Sequence, residues 1–143
     1  MYRKILVALE NGPADESLLP HVTELARRLG SQLLLLHVAD GWAARNYDQL
    51  TLAESEEMRG DREYLEAKAA ELRAAGLEVT VLLALGEPAK EILKAAESSH
   101  CDLIAMATHG HRFLSDLIRG TTIPGVRHKA AVPVLLVRAA RAA

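Results

Sequence analysis

Five short apolar runs recur along the chain, separated by segments whose apolar residues return every three or four positions. Ile5-Leu6-Val7-Ala8-Leu9 ends in the turn residues Glu10-Asn11-Gly12-Pro13. An unbroken apolar run of that length reads as a strand covered on both faces. Leu33-Leu34-Leu35-Leu36-His37-Val38 is kept short by Gly30-Ser31 before it and Asp40-Gly41 after it, which predicts a second strand. Residues 79–84, 102–107 and 132–137 predict the third, fourth and fifth. Pro133 has no amide donor, so the fifth strand belongs at a sheet edge or begins there.

Between the runs the period changes to that of a helix. Leu18, Val22, Leu25, Ala26 and Leu29 form one stripe, predicting a helix capped by Asp15 and closed by Gly30 in a left-handed conformation. Pro20 predicts a bend or a delayed start. Residues 41–53 read as a loop anchored by Trp42 and Tyr47. A long helix from about Ser55 to Ala75 presents Met58, Leu65, Ala69 and Leu72, and Gly76 ends it. Gly86-Glu87-Pro88 opens a third helix with Ala89, Ile92, Leu93 and Ala96 inward, and a short helix spans 123–130. The tail from 138 to 143 reads as frayed.

Alternating strands and helices predict an α/β fold, a doubly wound, Rossmann-like parallel sheet with helices on both faces. The whole of 1–143 reads as a single domain. Such sheets bind ligands beyond the carboxyl ends of their strands, where strand order reverses. Attention therefore falls on the loops after strands one, two and four.

Composition narrows the ligand. Of 143 residues half are hydrophobic, yet only five are aromatic (three Tyr, one Trp, one Phe). So few rings argue against stacking on single-stranded nucleic acid, and a formal charge of −2 argues against a basic DNA-binding module. That charge is uneven. Residues 1–100 carry 11 Lys/Arg against 17 Asp/Glu, whereas 101–143 carry 6 against 2, a prior for an anionic ligand near the basic third. The lone Cys101 excludes an internal disulfide framework and reads as a packed small hydrophobe. No leader pattern opens the chain and no apolar run is long enough to span a bilayer, so a soluble, cytoplasmic setting without membrane or nucleic-acid partners is expected.

One segment carries candidate chemistry. Between the fourth strand and the last helix stand Thr108-His109-Gly110, nine residues, then Gly120-Thr121-Thr122. Glycines let backbone amides approach a ligand, and a helix N-terminus favours phosphate. By spacing alone the glycines serve equally as turns and Thr122 as an N-cap. His109 and His111 form an H-x-H pair, with His128 further on, but only Asp116 stands near, so solvation or a phosphate contact is favoured over a metal. His37 reads as a satisfied core histidine, and Arg112 and Arg119 as candidate phosphate contacts. Neither G-x-x-x-x-G-K-[ST], G-x-G-x-x-G nor G-x-S-x-G occurs. No catalytic constellation stands out, so the expectation is a non-enzyme in which any phosphoryl transfer is slow and incidental.

Tyr2-Arg3-Lys4-Ile5-Leu6-Val7-Ala8, Leu35-Leu36-His37-Val38, Gly86-Glu87-Pro88, Cys101-Asp102-Leu103-Ile104 and the ending from Val126-Arg127-His128 through Pro133 to Val137 occur in one order over nearly the whole chain. Together they resemble a universal stress protein domain. That family's nucleotide motif, G-x-x-G, nine residues, G-[ST], resembles Ala107-Thr108-His109-Gly110, nine residues, Gly120-Thr121. The resemblance implies a five-stranded parallel sheet of order 3-2-1-4-5, a homodimer through the fifth strands, and a stress-response regulatory role. It implies binding of ATP, or AMP or ADP, with or without Mg²⁺. Carried over, Ala8 and Glu10 lie near the adenosine and Val38 beside the base. Met106, Ala107 and Gly110 line the ribose and phosphate, and Gly120, Thr121 and Thr122 hold phosphates. Two residues depart from the pattern. Glu10 replaces the usual Asp, setting the carboxylate one methylene further out. Ala107 replaces the first glycine, so its methyl crowds the ligand or demands a φ that alanine dislikes. In this reading nucleotide state is reported to an unidentified protein partner through the dimer surface; the alternatives are a nucleotide-free dimeric interaction module of the same fold, and a slow ATPase or metal-assisted hydrolase.

Overall fold

A computed structural model describes residues 1–39, 51–109 and 122–140. The elements are β1 (Lys4–Ala8), α1 (Asp15–Leu29), β2 (Gln32–Ala39), α2 (Thr51–Ala74), β3 (Val79–Leu85), α3 (Pro88–Ser98), β4 (Leu103–Thr108), α4 (Thr122–Lys129) and β5 (Val134–Arg138). The five strands form one sheet of order β3-β2-β1-β4-β5, with every neighbouring pair parallel.

Strand side chains alternate between faces, and each face has its own core. Ile5, Val7, Leu33, Leu35, Leu103 and Ala105 pack with Leu18, Val22 and Ala26 of α1 and Leu65, Ala69 and Leu72 of α2. Leu6, Leu34, Leu36, Ile104 and Met106 pack on the other face with Ala89, Ile92, Ala95 and Ala96 of α3 and Val126 of α4. The edge strand β3 departs from the expectation of burial on both faces. Its Leu82 is 38% exposed and Leu85 41%; on the Leu82 face the covering helices pack over the inner strands instead.

Helix ends follow local chemistry. Gly30 adopts φ 69° and its N–H reaches Ala26 O, as glycine allows without a Cβ clash. The Glu87 side chain accepts from the N–H groups of Ala89 and Lys90, and Pro88 occupies the first turn of α3. Four expectations need correction. Ala14, not Asp15, holds the N-cap position of α1, without a side-chain cap. The carboxylate of Asp15 turns back to the loop before it instead. Pro20 lies inside α1 without delaying its start. The second helix begins at Thr51, ahead of the expected Ser55, while Trp42 and Tyr47 lie outside the described residues. The tail is docked over its first residues: Ala139 N–H donates to Thr108 O and Ala140 N–H to Ser17 Oγ, both at 2.9 Å.

Asp102 joins the starts of β1 and β4. Its carboxylate accepts from Arg3 N–H at 2.9 Å and Lys4 N–H at 3.1 Å. Desolvation pushes its pKa up, but these backbone donors outweigh it and hold the carboxyl below its ordinary value. A carboxylate depressed by folding stabilises above the unfolded pKa, and that contribution is lost as pH falls through the folded value. The stability advantage over Asp102→Asn is therefore expected at neutral pH and should shrink in acid, as pH falls below the ordinary carboxylate value of about 4. Urea unfolding of both proteins across pH checks this; a constant difference would contradict it. Cys101 is buried, and burial pushes its thiol pKa up, in keeping with an inert packed side chain.

Candidate functional site

Strand order reverses around β1, which has β2 on one side and β4 on the other. Beyond the carboxyl ends of these three strands lies a cleft of about 120 Å³. Its walls include Ala8 from the end of β1, Val38 from β2, Met106 and Ala107 from β4, and Thr122 at the start of α4. Glu10 borders it from the loop after β1, and Pro88, Ile92 and Ile123 close the side toward α3 and α4. Six expected site residues thus meet in one cleft, whereas Gly110, Gly120 and Thr121 lie outside the described residues.

The walls are mainly apolar, and among the described residues none is Phe, Tyr or Trp. Thr122 is buried as the first residue of α4, where unpaired helix amides favour an anion. Ala107 is buried in β4 opposite Val137, and positive φ among the described non-glycine residues is confined to Tyr2, Asn11 and His100. The expectation that Ala107 needs a conformation alanine dislikes is therefore corrected. Its methyl is tolerated by ordinary strand geometry.

The polar side of the cleft differs from a solvated loop histidine and a lone acid. His109 Nε2 lies 2.8 Å and 3.1 Å from the two carboxylate oxygens of Glu10. The pair ties the exit of β1 to the exit of β4 and is mostly shielded from solvent. His37, read as a satisfied core histidine, is satisfied: Nδ1 faces Leu9 O at 2.9 Å and Nε2 faces Asp61 at 3.5 Å. It also borders the cleft, which its place near the end of β2 could have signalled. Among the described residues no group of three or more His, Cys, Asp or Glu is arranged to hold a metal; His111 and Asp116 lie outside them.

The loop after β1 is held from beneath. Asp15, wholly buried, accepts from the N–H groups of Glu10 and Asn11 at 2.9 Å each and from the Tyr64 hydroxyl at 2.6 Å. Burial, and then the bond to Asp15, raise the Tyr64 pKa. Asn11 sits at φ 60° and donates from its carboxamide to Asp61. Arg127 and Lys129 occupy the last turn of α4 and Arg138 ends β5, and none of the three lines the cleft. Arg112 and Arg119 lie outside the described residues.

Among known proteins, the model of the universal stress protein family matches residues 1–138. Universal stress protein MJ0577 of Methanocaldococcus jannaschii is 28% identical, with 96% of each chain covered. Its solved structure superposes with a TM-score of 0.84 over 99% of both chains. A universal stress protein of Archaeoglobus fulgidus in complex with dAMP has the same fold, with TM-score 0.70, 23% identity, and 95% and 98% covered. So does a universal stress protein in complex with cAMP, with TM-score 0.69, 15% identity, and 96% and 97% covered.

Proposed function

The chain belongs to the universal stress protein family, and on that footing we propose that it is a regulatory domain, over 1–143, that binds ATP, ADP or AMP in the cleft beyond β1, β2 and β4. The observation that carries the reading is the make-up of that cleft, which joins apolar walls at Ala8, Val38 and Met106 to a helix start at Thr122. Adenine lies against Ala8 and Val38, held by aliphatic side chains and backbone groups. The ribose faces Glu10, Met106 and Ala107. The phosphates meet Thr122, with Gly110, Gly120 and Thr121 completing the loop and Mg²⁺ accompanying them where required. The dAMP and cAMP complexes of proteins with this fold support an adenine nucleotide as the ligand class.

In this reading the protein works in the cytoplasm as a homodimer joined through β5, and it reports nucleotide state to a protein partner; hydrolysis is slow and incidental. Support for the dimer comes from the sheet edge. Val134, Leu135, Leu136 and Val137 are each only half-buried on β5, and an apolar edge strand invites pairing. Sedimentation equilibrium is expected to give twice the 15.5 kDa chain mass, and a monomer at all concentrations would remove this part of the reading.

Mass spectrometry of nucleotide released from the purified protein, followed by ATP titration calorimetry, tests the central claim. No released nucleotide and no heat at millimolar ATP would sink it. Ala107→Gly is expected to leave affinity within about twofold while lowering stability by roughly 1 kcal/mol, because the methyl is buried in a strand. A marked gain in affinity would instead identify the methyl as an obstacle. The second reading, a nucleotide-free interaction module, is favoured by one observation: both oxygens of Glu10 lie against His109 across the cleft.

A further inference from the structure

Asp61 lies on α2, fifty residues from Asn11, and does not line the cleft. It is nevertheless 8% exposed and faces two groups that lead there. One carboxylate oxygen accepts from Asn11 Nδ2, and the other lies 3.5 Å from His37 Nε2. His37 in turn engages Leu9 O through Nδ1 at 2.9 Å. Leu9, Glu10 and His37 all border the cleft. Asp15 holds the same short segment through the N–H groups of Glu10 and Asn11. The segment is thus gripped through its backbone by α1 and through the Asn11 side chain by α2. Asn11 itself sits at φ 60°, a left-handed conformation that asparagine tolerates better than most residues with a Cβ.

We propose that Asp61 is a positioning residue for the nucleotide cleft, acting through Asn11 and His37 to aim the Glu10 carboxylate. The inference rests on the nucleotide reading above. A buried carboxylate behind a ligand-facing group restricts that group's orientations before the ligand arrives, so less freedom is lost on binding. Asp61→Ala removes the acceptor of Asn11 and the counterpart of His37. Asp61→Asn keeps an oxygen for Asn11 and offers an amide to the ring.

The experiment measures ATP affinity by calorimetry, and amide hydrogen exchange at Glu10 and Asn11, in the full chain. Asp61→Ala is expected to weaken binding about tenfold, whereas Asp61→Asn stays within about threefold. The loss should disappear in a Glu10→Ala background, since there is no longer a carboxylate to aim. Exchange at the two amides should accelerate in Asp61→Ala. Asn11→Gly, which keeps the left-handed backbone but removes the carboxamide, should reproduce both effects. Equal losses with and without Glu10 would mean a merely structural role and overturn the assignment, as would an Asn variant as weak as the Ala variant. If the unmodified chain takes up no nucleotide, the functional reading fails by itself. Exchange then decides the positioning: unchanged protection of Glu10 and Asn11 in both Asp61→Ala and Asn11→Gly overturns it.

Discussion

Asp15→Ala is expected to lower stability by about 3 kcal/mol, or roughly 10 °C in Tm for a chain of this size. The Asp15 carboxylate has no solvent exposure and accepts three hydrogen bonds. Truncation leaves the N–H groups of Glu10 and Asn11 and the hydroxyl of Tyr64 to find water or remain unpaired, and each unsatisfied buried donor costs about 1–3 kcal/mol. Some water will enter the vacated space, which is why the expected sum is below the maximum. Tyr64→Phe removes one donor and should cost only about 1 kcal/mol. It carries a separate signature. Tyr64 has its pKa raised by burial and by the bond to Asp15. A group with a raised folded pKa contributes stability fully present below its unfolded value and lost as pH rises toward the folded one. The stability gap between the unmodified protein and Tyr64→Phe should therefore narrow above about pH 10. Thermal and urea unfolding measure both effects. A loss under about 1 kcal/mol for Asp15→Ala would show that water replaces the carboxylate fully as the acceptor for these donors.

Ala8→Phe is expected to abolish nucleotide binding, weakening it by about a hundredfold or more, because the ring fills the space in which the base would bury its apolar surface. Ala8 ends β1, is half-buried, and faces the cleft on the side of the sheet covered by α3 and α4. Overpacking at a cleft wall has room to relax outward, so the stability cost should stay near the low end of about 1–3 kcal/mol. Calorimetry with ATP and AMP, read beside a melting curve, separates blocked binding from failed folding. A folded variant that binds as before would move the ligand out of this cleft.

The elements of this protein were legible in its sequence wherever burial has a local period. Val79–Leu85 and Leu103–Thr108 coincide closely with the expected apolar runs. The early start of α2 was not legible, since the residues from Thr51 to Glu57 carry few apolar side chains at helical spacing. Strand order came from family resemblance, because periodicity says which face is buried but not which strand is a neighbour. The same resemblance named Ala8, Glu10, Val38, Met106, Ala107 and Thr122, and the topology brings them to one cleft.

By itself, the sequence determined the alternation of buried strands and amphipathic helices and the loops in which a ligand could be met. It did so because side-chain polarity repeats with the backbone geometry of each element. Tertiary structure alone decided the partners. Glu10 and His109 are 99 residues apart, Asp15 and Tyr64 are 49, and Asn11 and Asp61 are 50. Parallel crossovers bring such residues within a few ångströms, and no local pattern encodes which carboxylate each donor will meet. In the sequence Asp15 was a helix cap and His109 a loop histidine. In the folded sheet one anchors the loop beneath the cleft and the other holds the acid at its edge.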